Sequence, residues 1–216
     1  AKVLEDQQGY YLLGYSPGEA TFNKTYHKIQ VKVNRAGLTV EPLAPGSDRH
    51  HAAVQAHLGR YAGFEHNAFT ALNTAFLRDG AVIVAPPEVT SGGPVHLLFV
   101  ATRKDAASYP RCLVIAEHHA ALTLVEDFVS LQGDAYFTNA VTEVVLAGEA
   151  QVHHVRVQRE SAAAFHIAHC AVSQARGSRY HSVSVALGGR ISRHNLGVRL
   201  AAEGAHCAID GLALIG

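Results

Sequence analysis

Three stretches decide the fold of this sequence when set side by side: Gly148-Glu149-Ala150-Gln151-Val152, Gly177-Ser178-Arg179-Tyr180-His181-Ser182-Val183-Ser184-Val185 and Gly204-Ala205-His206-Cys207-Ala208-Ile209. Each places a small or polar corner before apolar residues that alternate at period two, the pattern of a strand with one buried face. The corner glycines lie 29 residues apart (148 to 177) and then 27 (177 to 204). His119-Ala120-Ala121-Leu122-Thr123-Leu124 supplies an earlier copy, with its corner about 30 residues upstream, as a repeat of this size requires. The phase predicts that the corners at 148, 177 and 204 stack in register and that Val152, Val183 and Ile209 share one continuous core.

More period-two runs fill the intervals: Val95–Thr102, Tyr136–Leu146, Phe165–Val172 and Asn195–Ala202. Helical periodicity of useful length is missing after about residue 80. Short strands recurring at this spacing predict a solenoid in which each turn stacks only on its neighbours. The expected fold is therefore mainly β, a right-handed parallel β-helix preceded by a small α/β segment. A β-sandwich of hairpins is the competing architecture, but the Asp-Gly hairpin signal occurs only at Asp79-Gly80 and Asp210-Gly211.

The first 90 residues read differently. His50–Leu58 and Asn67–Leu77 look helical, the second with Phe69, Leu72 and Phe76 at spacings of three and four. Pro86-Pro87 and Ser91-Gly92-Gly93-Pro94 are turn-rich connectors. Upstream, Tyr10–Tyr15 and Ile29–Val33 read as strands around the loop Ser16–Asn23. The expected organisation is N-terminal strands over 1–42, a helical lead-in over 43–94 and the β-helix over 95–216.

Composition narrows the function. Among 216 residues, 18 Lys and Arg balance 18 Asp and Glu, which removes the long-range attraction behind generic binding to nucleic acid or to anionic membranes. With 48% hydrophobic and 17% charged residues, the chain can bury a sizeable core. Cys112, Cys170 and Cys207 form no C-x-x-C and cannot all pair, so a reducing compartment is expected. No apolar run reaches the ~18 residues of a membrane span, and no secretory leader opens the chain. A cytoplasmic protein is expected. The sequence has no Met and ends in the apolar alternation Leu212-Ala213-Leu214-Ile215-Gly216, so it reads as a fragment whose last turn is uncapped.

Fifteen histidines invite a metal hypothesis. His166, His169 and Cys170 lie within five residues, and His206-Cys207 adds two more potential ligands. Strand geometry opposes the idea: His166 and Cys170 share a face while His169 takes the other, and the adjacent pairs His206/Cys207 and His153/His154 are likewise split. No H-x-H, C-x-x-C or H-E-x-x-H offers a local chelate, so no metal site is assigned and these histidines are expected on strand faces with a polar edge at the surface. Nor is a catalytic residue assigned. There is no Gly-x-Ser-x-Gly elbow, Walker A loop or Gly-x-Gly-x-x-Gly. Gly188-Gly189-Arg190 fits a tight solenoid corner better than a phosphate loop, since no helix follows it. A polysaccharide-cleaving β-helix wants clustered carboxylates, whereas Glu143, Glu149 and Glu160 fall at different phases of the repeat and read as isolated. That enzyme and a structural repeat domain of unrelated function stand as alternatives.

Gly188-Gly189-Arg190-Ile191-Ser192-Arg193-His194-Asn195-Leu196, followed by Leu200 and Glu203-Gly204-Ala205, resembles the core signature of the SufB/SufD family of iron–sulfur cluster assembly proteins. Phe69–Phe76 with Asp79-Gly80, and Glu126–Ser130 with Tyr136–Asn139, are similar to the same family. The resemblance covers roughly residues 55 to 216. From Val125–Asn139 onward, through His153-His154 and the His169 region, it is nearer SufD than SufB. It implies a parallel β-helix scaffold that is not an enzyme. It further implies partners in a SufB-like subunit and a SufC-like ATPase, within a SufBCD complex that handles an iron–sulfur cluster, in some members with reduced flavin. The cluster residues of the family belong to later strands, so no cluster ligand and no SufC-binding residue is carried over; cofactor-binding residues stay unknown, and no cofactor is expected in this fragment. Tyr10–Pro17 with Lys28–Val40 departs from the family pattern and resembles the closing strands of a von Willebrand factor A-related bacterial protein, which implies a junction near residue 42.

Overall fold

The computed structural model describes residues 2–5, 11–15, 37–43, 51–65, 67–78 and 80–214. Three short strands, β1 (Lys2–Glu5), β2 (Tyr11–Tyr15) and β3 (Thr39–Pro42), and two helices, α1 (His51–His57) and α2 (Ala68–Ala75), precede the repeat. The repeat comprises β4 (Gly80–Ala85), β5 (Val95–Ala101), β6 (Ala107–Ser108), β7 (Arg111–Ala116), β8 (Ala121–Ser130) and β9 (Phe137–Leu146). It continues with β10 (Gln151–Arg159), β11 (Phe165–Gln174), β12 (Arg179–Ala186), β13 (Ile191–Leu200) and β14 (His206–Ala213). The strands expected at 29–33 and the loop at 16–23 lie outside the described residues.

Each turn gives one strand to each of two sheets. One sheet stacks β4, β7, β9, β11 and β13, and the other stacks β5, β8, β10, β12 and β14, so the solenoid has five turns. Every neighbouring pair in these stacks is parallel. Among the described strands, the antiparallel pairs are β1–β2 and β3–β4, which border the first turn. The sandwich of hairpins is thereby excluded.

Register corrects the corner assignment by one residue. The residues that turn each corner with positive φ are Glu88 (63°), His119 (58°), Glu149 (59°), Gly177 (66°) and Gly204 (72°). Glu149, not Gly148, is therefore the equivalent of Gly177, and the pairing of Gln151 with Arg179 agrees. Gly188 does sit at a tight corner, where an added Cβ would come within 2.2 Å of the Glu160 carbonyl oxygen.

The expected core triplet is also corrected. Val152 is buried in the column Leu122–Val152–Tyr180–Cys207. Val183 pairs with Val155 and Asp210 in an outward-facing column and is half-buried. Ile209 continues the inward column Leu124–His154–Ser182 but is 60% exposed on the last strand. What closes the core instead is a ladder on the opposite sheet, Ile83–Val114–Val144–Val172–Val198. Its first four members are buried, and each fully buried side chain of this kind contributes about 1.5–3 kcal/mol. At the far end, Leu212 and Leu214 are exposed.

α2 starts where Asn67 caps it, the Oδ1 accepting from Phe69 N and Thr70 N at 3.1 Å each. It docks through Thr70 and Asn73, both fully buried, rather than through the Phe69–Leu72–Phe76 stripe. Phe69 and Phe76 remain partly exposed and lie against Phe137 and Tyr109.

Candidate functional site

Part of the solenoid interior is polar. On β10 the burial alternates so that Val152, His154, Arg156 and Gln158 point inward. The column through Arg156 reads Leu97–Glu126–Arg156–Ser184–Gly211, changing from apolar to charged to small along the axis. Across the interior, Thr138 and Thr142 on β9 and His166 and Cys170 on β11 face the same lane and are buried.

Two chains of contacts run through it. In the first, Glu126 Oε1 accepts from Thr142 Oγ1 at 2.7 Å, and Glu126 Oε2 lies 3.0 Å from His154 Nε2. His154 Nδ1 is 2.8 Å from the Tyr180 hydroxyl, which approaches Cys170 Sγ at 3.8 Å. Burial alone would raise the Glu126 pKa, but the bonds from His154 and Thr142 outweigh it and hold the carboxyl down at about 2. Burial likewise pushes His154 down, yet Cys170 and Glu126 lift it to about 10. Glu126 and His154 thus form a buried carboxylate–imidazolium pair.

In the second chain, Glu160 Oε1 accepts from Thr138 Oγ1 at 2.8 Å and Oε2 from Gln158 Nε2 at 3.2 Å. His166 bridges Glu160 to Arg156: its Nδ1 is 2.5 Å from Glu160 Oε2, and its Nε2 contacts Arg156 Nη2. A guanidinium can only donate, so Nε2 must be the bare acceptor and Nδ1 must carry the proton that it donates to Glu160. Burial and the Arg156 charge lower the His166 pKa against the pull of Glu160, in keeping with a neutral ring. Two histidines in one lane therefore hold different charge states, His154 cationic and His166 neutral.

Outside the solenoid, Glu143 ties the lead-in to the first sheet. Fully buried, it accepts from Gly59 N (2.8 Å), Tyr61 N (2.9 Å) and Ala62 N (3.2 Å), and pairs with Arg111 at 2.5 Å. Arg111 also donates to Asn73 Oδ1 at 3.3 Å, and Thr70 Oγ1 meets His169 Nδ1 at 2.8 Å. Glu143 and Glu160, expected as isolated, are each the centre of a buried network, whereas Glu149 is an exposed corner residue. The three are separated onto an outer face, an interior and a corner, not gathered in one groove.

The remaining histidines and cysteines fall where strand parity puts them. His166 and Cys170 face in, while His169 faces α2. His154 faces in, and His153 stacks outside on His181 with ring centroids 4.9 Å apart, His181 Nε2 being 2.8 Å from Asp210 Oδ2. His206 is exposed and Cys207 packs against the core. Among the described residues, no group of three or more His, Cys, Asp and Glu side chains is arranged to hold a metal ion. The sequence expectation of histidines with a surface edge fails for His154 and His166, which are 2% and 0% exposed.

A family model described as "SUF system FeS cluster assembly, SufBD core domain" matches residues 99–216, and one described as "SufBD protein N-terminal region" matches 19–97. The likeness thus runs on upstream of the junction expected near residue 42. The chain is 39% identical over 141 residues to an iron–sulfur cluster assembly SufBD family protein of Synechocystis, covering 61% of this chain and 31% of that protein. It is 32% identical over 139 residues to the chloroplastic protein ABCI7 of Arabidopsis thaliana, covering 61% and 29% respectively. Over 110 residues it is 33% identical to the iron–sulfur cluster assembly protein SufD of Escherichia coli, covering 51% and 26%. The chain spans about a third of the length of the curated relatives it matches. No described helix is long and apolar enough to cross a membrane.

Proposed function

Because this chain belongs to the SufBD family of iron–sulfur cluster assembly proteins, we propose that it serves as a SufD-like scaffold subunit with no catalysis of its own. The observation that carries the reading is a coincidence of boundaries. The SufBD core match over 99–216 falls on the parallel stack from β5 to β14, the part whose repeat also reads most clearly in the sequence. The nearness to SufD in Val125–Asn139 and the similarity to E. coli SufD favour that subunit over SufB. On this reading the protein works in the cytoplasm beside a SufB-like subunit and a SufC-like ATPase. The iron–sulfur cluster is cargo of the assembled complex, built in some members with reduced flavin. Cys112, Cys170 and Cys207 form no disulfide with one another, which suits a reducing compartment.

Co-expression with tagged SufB-like and SufC-like subunits tests the assignment. A SufD-like subunit is expected to be retained with SufB and to be displaced by authentic SufD. Retention by neither partner, or competition with SufB instead of SufD, would overturn it.

A further inference from the structure

Most of the hydrogen-bonding capacity of Arg156, in the interior lane, is unused. Its side chain is 2% exposed, and it lies over the Phe128 ring, 5.2 Å from the centroid. Nη2 meets His166, whereas Nε and Nη1 have no hydrogen-bond partner. Nε carries one N–H proton and Nη1 two, so most of the guanidinium's donors point at nothing. Glu126 and Glu160, the nearest carboxylates, are engaged elsewhere: the first by His154 and Thr142, the second by His166, Thr138 and Gln158. Unmet donors on a buried cation are costly and mark a missing partner. Next to Arg156 in its column stand Ser184 and then Gly211, the smallest side chains of that column.

We propose that Arg156 binds a small monovalent anion inside the solenoid, on the side of Ser184 and Gly211, and that His194 takes up a proton with it. The proton follows from charge. Glu126 and Glu160 balance His154 and Arg156, so a bare anion would leave the lane negative in a low-dielectric interior. His194 is placed to receive it, with Nδ1 3.4 Å from Ser184 Oγ. The groups that act on it are Arg156 and His154 from β10, Glu126 from β8 and His166 from β11. Burial, and after it the Arg156 charge, hold His194 down at about 3, and an anion on Arg156 would cancel much of that second effect. A water molecule could satisfy the same donors, but its binding would carry no charge and no proton.

Sodium nitrate, titrated against the full protein at constant ionic strength, separates the two. A saturable rise in melting temperature is expected, with apparent affinity falling by up to about tenfold per pH unit above the bound-state pKa of His194. The rise should vanish in R156Q. A non-saturating response, one independent of pH, or one retained in R156Q would overturn the proposal. Should R156Q fail to fold, crystals of the unaltered protein in bromide decide it. An anomalous peak within hydrogen-bond distance of Arg156 Nε or Nη1 supports the site, and density with no anomalous signal there overturns it.

Discussion

One interior contains two chemistries. Along the ladder Ile83–Val114–Val144–Val172–Val198 each turn repeats the residue type of the last, so the side chains stack like with like. In the column Leu97–Glu126–Arg156–Ser184–Gly211 every turn differs from its neighbours. The first arrangement needs only apolar bulk at period two, and any residue in it can be exchanged for a similar one. The second holds only if each charged group finds its particular partner one strand away or across the lane, because an unmatched buried charge costs several kcal/mol. A solenoid can thus spend stability on a specific polar interior, provided that the apolar half of each turn secures the stack.

The contrast can be broken from the polar side with the largest effect. Replacing Glu126 by Leu strands the His154 imidazolium and should lower the unfolding free energy by about 3–5 kcal/mol, measured by urea denaturation. The double variant E126L/H154L, which extends the apolar half into the lane, should recover most of that loss. Failure of the double variant to recover would mean that the pair is not acting as a unit.

Comparing the unaltered protein with the double variant across pH sharpens the point. Glu126 sits at about 2 against its usual 4.5, so its stabilisation is present above pH 4.5 and is lost as pH falls towards 2. His154 sits at about 10 against 6.5, so its stabilisation is complete below pH 6.5 and is lost as pH rises towards 10. Because the two shifts describe one pair, the advantage over the double variant should be greatest between pH 4.5 and 6.5. A difference flat from pH 3 to 10 would contradict it.

From the apolar side the expected effect is smaller. Val144→Thr places a hydroxyl among the ladder valines with no polar partner from that column, for about 1–3 kcal/mol. Smallest is Tyr180→Phe, which removes the hydroxyl between His154 and Cys170 and should cost about 1 kcal/mol. A loss for Y180F larger than for V144T would contradict the order of these two variants.

The same contrast explains what could be read in advance. Strand period and parallel stacking were legible, and the corners to within one residue, because Val, Leu and Ile repeat at fixed offsets, which backbone geometry turns directly into turns and strands. The lane was not. In His153-His154-Val155-Arg156-Val157-Gln158 the valines invite an inward reading, yet His154, Arg156 and Gln158 face in and the valines face out. Hydrophobic alternation carries the period of a strand but not its phase when the buried face is polar. Glu143 was hidden for another reason: its partners Gly59, Tyr61 and Ala62 are more than 80 residues away, so no local pattern could announce them. The one available signal was negative, since Arg156 and Glu126 stand in register with Leu97 in a column that begins apolar.

The two-chemistry interior rests on His154 and His166 carrying different charges within one lane. Nitrogen-15 NMR of the imidazole rings, recorded from pH 5 to 10, reads this directly. The account predicts that His154 stays protonated on both nitrogens beyond pH 8, while His166 is neutral at pH 7 with its proton on Nδ1 and bare at Nε2. Two rings titrating together near the usual histidine value of 6.5 would contradict it.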